Sequence, residues 1–431
     1  MTITVILFLI VGSFATDSTD TLTLDYCYSR LENHYPIAEK LKLQNEITTL
    51  NKKIAHTGYY PQLNVGAKVT YQSEVTEFQV AGGAQPIGPD LSKDHYEVTL
   101  DVIQPIYNGG VVGIKKNLEE AKGEQEINSI RVQMHQLKNQ VNSVYYGIML
   151  AHNQSEILQS VSESLRAQIE NINAKVENGV LLPSQRYILE AELIKIKQDS
   201  IEIDANIEAG YEILGQLIGE ELTGRRSLAV PEVNSLDLAD EILTRMRPEF
   251  KLFDSNRRYL SYQKELARTG LLPSLSAFGT AAYGRPGFNV FENDLHEYYI
   301  IGLKLNWNFW AAKNAGTRKE VIRLRQKSVN EEERAFERQL KASLSKIEEE
   351  IASLKRKIQE DQQIVDLRQK VVKTVESQLE NGTATATEYI TELNKKTQAE
   401  LSMKMHKTRL SQARVEYETM LGAGDRNINS K

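Results

Sequence analysis

Between Val111 and Glu177 the chain has no proline and only three glycines, Gly113, Gly123 and Gly147. Within that run, Ile127, Ile130, Met134, Leu137, Val141, Val144, Ile148, Ala151, Ser155, Leu158, Ser162, Leu165, Ile169, Ile172 and Val176 follow one another at alternating spacings of three and four. Fourteen steps cover 176 − 127 = 49 positions, a period of 3.5. That is the period of a coiled-coil seam, not the drift of an isolated helix. A second seam runs through Leu340, Leu344, Ile347, Ile351, Leu354, Ile358, Asp361, Val365, Arg368, Val372, Val375 and Leu379. At 1.5 Å per residue the run from Val111 to Glu177 extends roughly 100 Å, so it needs neighbours of similar length.

The two seams belong to an internal duplication. Tyr59-Tyr60-Pro61-Gln62-Leu63 matches Leu271-Leu272-Pro273-Ser274-Leu275, and Val176-Glu177-Asn178-Gly179 matches Leu379-Glu380-Asn381-Gly382. The offsets are 273 − 61 = 212 and 382 − 179 = 203, so the first copy has the longer loop between those marks. Each copy reads helix, strand, loop, strand, very long helix, tight turn, helix. The first copy is placed at 22–218, with helix 24–57, strands 60–72 and 95–107, long helix 111–177 and helix 184–218. The second is placed at 239–421, with helix 239–269, strands 272–284 and 297–310, long helix 314–380 and helix 385–421. The glycines after each long run close a helix in the left-handed conformation. Between the copies, 219–238 carries Gly224 and Pro231 and reads as a linker. The tail 422–431 should be loose.

The strands alternate with period two. Leu63, Val65, Ala67, Val69 and Tyr71 interleave with polar or small residues, as do Tyr96, Val98, Leu100 and Val102, and Tyr299, Ile301, Leu303, Leu305, Trp307 and Phe309. A wall that is greasy on one side and wet on the other alternates so. A soluble sheet with one face on a core alternates equally well. Lengths near ten residues suit a bilayer crossing, and Tyr59, Tyr60, Tyr107, Trp307 and Trp310 gather at strand ends as an interfacial girdle would. Four strands are too few to close a barrel, which needs about eight. An open edge in lipid would leave unpaired backbone groups, so several chains must share one barrel.

The apolar run from Ile3 to Phe14, ending in Ser13-Phe14-Ala15, reads as an export signal over 1–15, although no Lys or Arg precedes Arg30. No later stretch approaches the ~20 apolar residues of a membrane helix. The net charge of −6 gives no basic excess for nucleic acid. Cys27 is the single cysteine and excludes an intramolecular disulfide. None of the seven histidines has metal-ligand spacing to another, and there is no phosphate loop or nucleophile motif. The expectation is a chain with no catalytic residues, metal or cofactor.

Four segments resemble the TolC-like outer membrane factor family. They are Leu22-Thr23-Leu24-Asp25 through Tyr35-Pro36; Gln104-Pro105-Ile106-Tyr107-Asn108-Gly109-Gly110; Asn178-Gly179 with Leu189-Glu190-Ala191-Glu192; and Asn381-Gly382-Thr383 through Glu388. Their order and duplicated spacing cover about 22–421. The resemblance implies a mainly α chain with a small β part, whose duplicated coiled-coil hairpins form an α-barrel. Four strands per chain would join a homotrimeric, twelve-stranded barrel in the outer membrane of a Gram-negative bacterium, with the helices in the periplasm. It implies a passive exit channel of a tripartite efflux pump or a type I secretion system. The partners would be a periplasmic adaptor, an inner-membrane transporter of RND, ABC or MFS type, and outer-membrane lipid. Adaptors would dock at the hairpin tips, here Gly179, Val180 and Leu181, and Gly382, Thr383 and Ala384. Acidic residues six and nine places after the second turn glycine narrow the entrance in some members. Here those places hold Glu388 and Thr391, with Glu392 next door. A glutamate on a solvated helix face is the competing reading of Glu388. A general diffusion porin would not need long helices, and a soluble coiled-coil scaffold would not need period-two strands.

Overall fold

A computed structural model describes residues 21–75, 91–222, 226–231, 246–289, 292–308 and 310–422. The export signal expected at 1–15 lies outside these residues, as does most of the tail. The elements are β1 (Thr21–Leu22), α1 (Leu24–His34), α2 (Pro36–His56), β2 (Gln62–Tyr71), β3 (Asp94–Tyr107), α3 (Val111–Glu177) and α4 (Pro183–Ile218). They continue with β4 (Ser227–Leu228), α5 (Pro248–Thr269), β5 (Ser274–Arg285), β6 (His296–Asn306), α6 (Ala311–Glu380) and α7 (Ala386–Leu421). The chain is thus mainly α with a small β part. Among the described residues no helix is long and apolar enough to cross a membrane.

Several of these bounds differ from the sequence reading, each for a local reason. The helix expected over 24–57 is two helices. Tyr35 sits at φ −70°, ψ 142°, because the ring of Pro36 disfavours the helical region for the residue before it. The first strand starts at Gln62, not at 60, because Thr57–Tyr59 forms a 3₁₀ turn before Pro61. The last strand stops at Asn306. Beyond it the Trp310 N–H donates to the Asn308 side chain, 3.1 Å away, and α6 starts at Ala311. Helix α5 starts at Pro248, while 239–245 lie outside the described residues. The linker read at 219–238 carries a strand: β4 pairs in parallel with β1, Leu228 against Leu22.

The chain divides into two compact units. The first, here the sheet unit, comprises 40–131 and 248–336. Its sheet has the order β2-β3-β5-β6, antiparallel throughout. One row across it reads Leu63, Val102, Gly279, Ile301. A bulge falls between Pro105 and Tyr107, where proline cannot donate to the ladder. Leu260 of α5 packs on Ile322 and Val329 of α6, and Phe250 and Phe253 meet the Phe336 ring. Helix α2 approaches α3 at Gly123, where a Cβ would fall 2.2 Å from the Thr48 hydroxyl oxygen.

The second, the hairpin unit, holds 21–39, 132–247 and 337–422 so far as they are described. One of its clusters joins α1, α3 and α4 through Cys27, Leu31, Val141, Tyr145, Ile207 and Leu214. Tyr145 is fully buried, and its hydroxyl lies 2.8 Å from the Leu22 carbonyl oxygen and 2.6 Å from that of Ala229. It pins both short strands to the core. Burial pushes the Cys27 thiol up to about 12, which leaves it a small apolar filler. A second cluster joins α3, α4, α6 and α7 through Leu165, Ile172, Leu189, Leu379, Tyr389 and Leu393. No position of either seam is exposed, so the 3.5 period marks buried faces along both long helices.

Candidate functional site

Strand alternation gives the sheet two unlike faces. One carries Leu63, Val65, Val69, Val98, Leu100, Tyr299, Ile301, Leu303 and Leu305. These side chains are exposed, Val65 and Ile301 each to 78%. The other carries Asn64, Lys68, Glu97, Thr99, Asp101, Thr280, Tyr298 and Lys304, and it is cross-linked by polar contacts. The Thr280 hydroxyl donates to Asp101 at 2.6 Å and Thr99 donates to the same carboxylate at 3.2 Å. The Tyr298 hydroxyl donates to Glu97 at 2.6 Å. An apolar face on a soluble sheet would be covered; this one is bare. The outer strands of the sheet, β2 and β6, each have one unpaired edge among the described residues.

The two hairpin tips are the same turn made twice. Gly179 and Gly382 sit at φ 73° and 74°, the region glycine enters without strain. The N–H groups of Val180 and Leu181 donate to the Lys175 carbonyl at 2.8 and 3.2 Å. Those of Thr383 and Ala384 donate to the Gln378 carbonyl at 2.9 and 3.2 Å. The acceptors are 378 − 175 = 203 residues apart, the offset of the sequence repeat. This is the hydrogen-bonded closure that satisfies the last carbonyls of a helix. At the first tip Val180 and Leu182 are exposed to 64% and 68%, while Leu181 packs inward.

The first tip caps the second. The Ala386 N–H at the start of α7 donates to the Gln185 side chain of the first hairpin at 2.6 Å. The Lys175 ammonium of α3 donates to the Glu380 carbonyl at the end of α6 at 2.6 Å. Orphan helix-end groups of the second hairpin are therefore satisfied by the first. Neither Lys175 nor Gln185 was legible as a tip residue, because neither has a sequence partner at capping distance.

The three expected aperture residues lie on the first turns of α7 and behave differently. Glu388 closes a capping box: its carboxylate accepts from the Thr385 N–H at 2.7 Å and from the Thr385 hydroxyl at 3.0 Å. The Glu388 N–H donates back to that hydroxyl at 3.2 Å. The backbone hydrogen bond from Thr385, and then its hydroxyl, hold the Glu388 carboxyl below the usual carboxylate range. Thr391 is exposed and its hydroxyl donates to the Thr387 carbonyl at 2.7 Å. Glu392 is half-buried, held by Lys395 at 2.6 Å and by Arg368 of α6 at 3.1 Å. The hydrogen bond from Lys395, followed by both cations, lowers its carboxyl.

Arg368 is one of two polar residues in the α6 seam. The other, Asp361, lies 2.6 Å from the ring of His406 on α7. A seam read from period alone runs on through both positions. Its chemistry changes there, from apolar packing to a hydrogen bond between Asp361 and His406 and an ion pair between Arg368 and Glu392.

No family model and no curated protein matches the chain. Solved structures do. The outer membrane protein VceC of Vibrio cholerae aligns over 93% of this chain and 96% of its own, at 13% identity and a TM-score of 0.70. The CmeC outer membrane channel of Campylobacter jejuni aligns over 93% and 86%, at 12% identity and 0.70. The MtrE outer membrane channel of Neisseria gonorrhoeae, in its open state, aligns over 93% and 89%, at 14% identity and 0.70. The chain has the fold of these outer-membrane channels, which is the fold that the resemblance to TolC-like outer membrane factors implies.

Proposed function

We propose that the chain is one subunit of a homotrimeric outer-membrane exit channel, a passive duct with a twelve-stranded barrel in lipid and a helical barrel in the periplasm. The reading rests above all on the bare apolar sheet face backed by a polar one, on a sheet whose outer strands are both open. Lipid covers such a face, and neighbouring copies pair such edges. In each unit, exposed apolar stripes support the same assembly. In the sheet unit Leu43, Ile47, Leu50 and Ile54 line α2, and Val321 and Leu324 line α6. In the hairpin unit Tyr187, Ile194 and Ile201 line α4, and Ile364, Leu367 and Val371 line α6. One stripe of each pair belongs to the first sequence copy and the other to the second. A contact between them is head-to-tail, the kind that makes a ring when its rotation closes.

The channel serves a tripartite efflux pump or a type I secretion system, powered by an inner-membrane transporter. A periplasmic adaptor docks at Gly179, Val180 and Leu181 and at Gly382, Thr383 and Ala384, and it opens an aperture formed by Glu388, Thr391 and Glu392. The deciding experiment purifies the full-length protein from membranes and measures its mass in detergent and its conductance in planar bilayers. A trimer with discrete conductance steps is expected. A monodisperse, water-soluble single copy without detergent would overturn the reading. Export that proceeds undiminished without any adaptor would reduce it to a diffusion porin.

A further inference from the structure

We propose that the hairpin unit holds a binding site for an organic anion, a carboxylate with an apolar body, between α3, α7 and the β4 segment. A cavity of about 520 Å³ opens there. Met149 and Leu228 form an apolar floor and Val230 an exposed apolar lip. Arg226, Lys404 and Lys407 stand around it, beside His152, and among the described residues no carboxylate lines it.

The charges around this cavity do not cancel. Lys404 is held by Glu156 at 3.3 Å, and Arg226 by Glu220 at 3.4 Å. Glu220 is shared, because it also lies 3.3 Å from Arg30. Lys407 has no partner among the described residues. Among the described residues, the three cations lining the cavity and Arg30 behind them thus meet two carboxylates, in a chain whose net charge is −6. A concave site with a low-dielectric floor and one sign of charge concentrates the opposite ion. The floor selects among anions: an apolar body displaces water from Met149 and Leu228, which inorganic phosphate cannot do. The polar partners already made hold the walls in place, since Asn153 donates to Thr408 at 3.0 Å and His152 lies 2.9 Å from the Tyr211 hydroxyl.

The site needs no transport to be detected. The full-length protein in nanodiscs of zwitterionic lipid is titrated with 2-naphthoate, read by its own fluorescence, and in parallel with 2-naphthamide and with inorganic phosphate. One saturable naphthoate site per chain is expected, with the amide and phosphate binding about tenfold more weakly or less. Lys404→Gln with Lys407→Gln should weaken naphthoate by about tenfold or more. Lys407→Gln alone, at an exposed and unpaired residue that cannot threaten folding, should weaken it measurably. Competition by octanoate separates a fatty-acid source from an aromatic solute. Equal binding of naphthoate and naphthamide, or unchanged binding in both lysine variants, would overturn the site. Either result leaves the channel reading as it stands, because binding alone is measured.

Discussion

Glu388 has two claims on it, and two substitutions separate them. As the third residue of α7 it completes a capping box with Thr385. As the residue six places after Gly382 it is the proposed aperture carboxylate. Glu388→Gln keeps an acceptor for the Thr385 N–H, because glutamine serves the capping box as glutamate does, and removes the charge. Thr385→Ala keeps the charge and removes the cap, at a cost of about 1 kcal/mol per chain. Thermal unfolding followed by circular dichroism and single-channel recording in planar bilayers read the two effects apart. Thr385→Ala should lower the melting temperature, and Glu388→Gln should lower it less at neutral pH, by the charge-dependent share of the cap alone. The sign of the pH dependence follows from the lowered carboxyl. A group with a depressed folded pKa stabilises above its unfolded value, here 4.5, and loses that contribution as pH falls through the folded one. The wild type should therefore lose cap stability below about pH 4.5, and Glu388→Gln should not. In the recordings Glu388→Gln should reduce the preference for cations, since three carboxylates at a constriction favour them. Cation preference unchanged by Glu388→Gln, together with the expected melting shift in Thr385→Ala, would leave Glu388 a helix cap and remove it from the aperture.

Other substitutions test the remaining parts. Ile301→Arg on the bare face should cost about 2–4 kcal/mol in the membrane and deplete assembled oligomers on unheated gels, whereas Asn64→Arg on the polar face should be tolerated. Asp361→Leu alone leaves the His406 ring without its hydrogen-bond partner and should destabilise by about 1–3 kcal/mol, while Asp361→Leu with His406→Leu should come closer to wild type in thermal melts. Gly179→Ala forces a Cβ at φ 73° and should cost about 1–2 kcal/mol. Faster amide exchange at 175–182 would register it, as would weaker crosslinking of a co-expressed adaptor.

The fold was legible where a period repeats many times. The 3.5 spacing from Ile127 to Val176 constrains fifteen positions with one rule, and none of them is exposed. The tips were legible because a turn glycine is a local, steric requirement, and Gly179 and Gly382 recur with the repeat. What escaped depends on neighbours distant in sequence. The break at Tyr35 was visible in the proline that follows it, but a helical pattern on both sides overrode it. The β1–β4 pair is two residues long, too short to show any period. The seam at Asp361 and Arg368 kept its spacing while changing its chemistry. Their partners, His406 and Glu392, lie on the next helix and carry no spacing signal of their own.

That last difference divides the two copies. The α3 seam from Ile127 to Val176 has no ionisable residue. Its contacts are apolar packing apart from Ser155 and Ser162. The corresponding stretch of the second copy places Asp361 and Arg368 in the seam, and the same hairpin adds Arg409 between Glu350 and Glu416. These contacts recover their desolvation cost only while the partners stay in register, so separating them leaves polar groups, among them the Arg368 and Arg409 pairs, half-buried and unpaired. The second hairpin therefore resists a slide of α7 along α6 through discrete contacts that re-form elsewhere or not at all. The first resists through a continuous surface. At two seam positions, then, one sequence pattern has come to hold its helices together by different contacts, polar pairs in the second copy and apolar packing in the first.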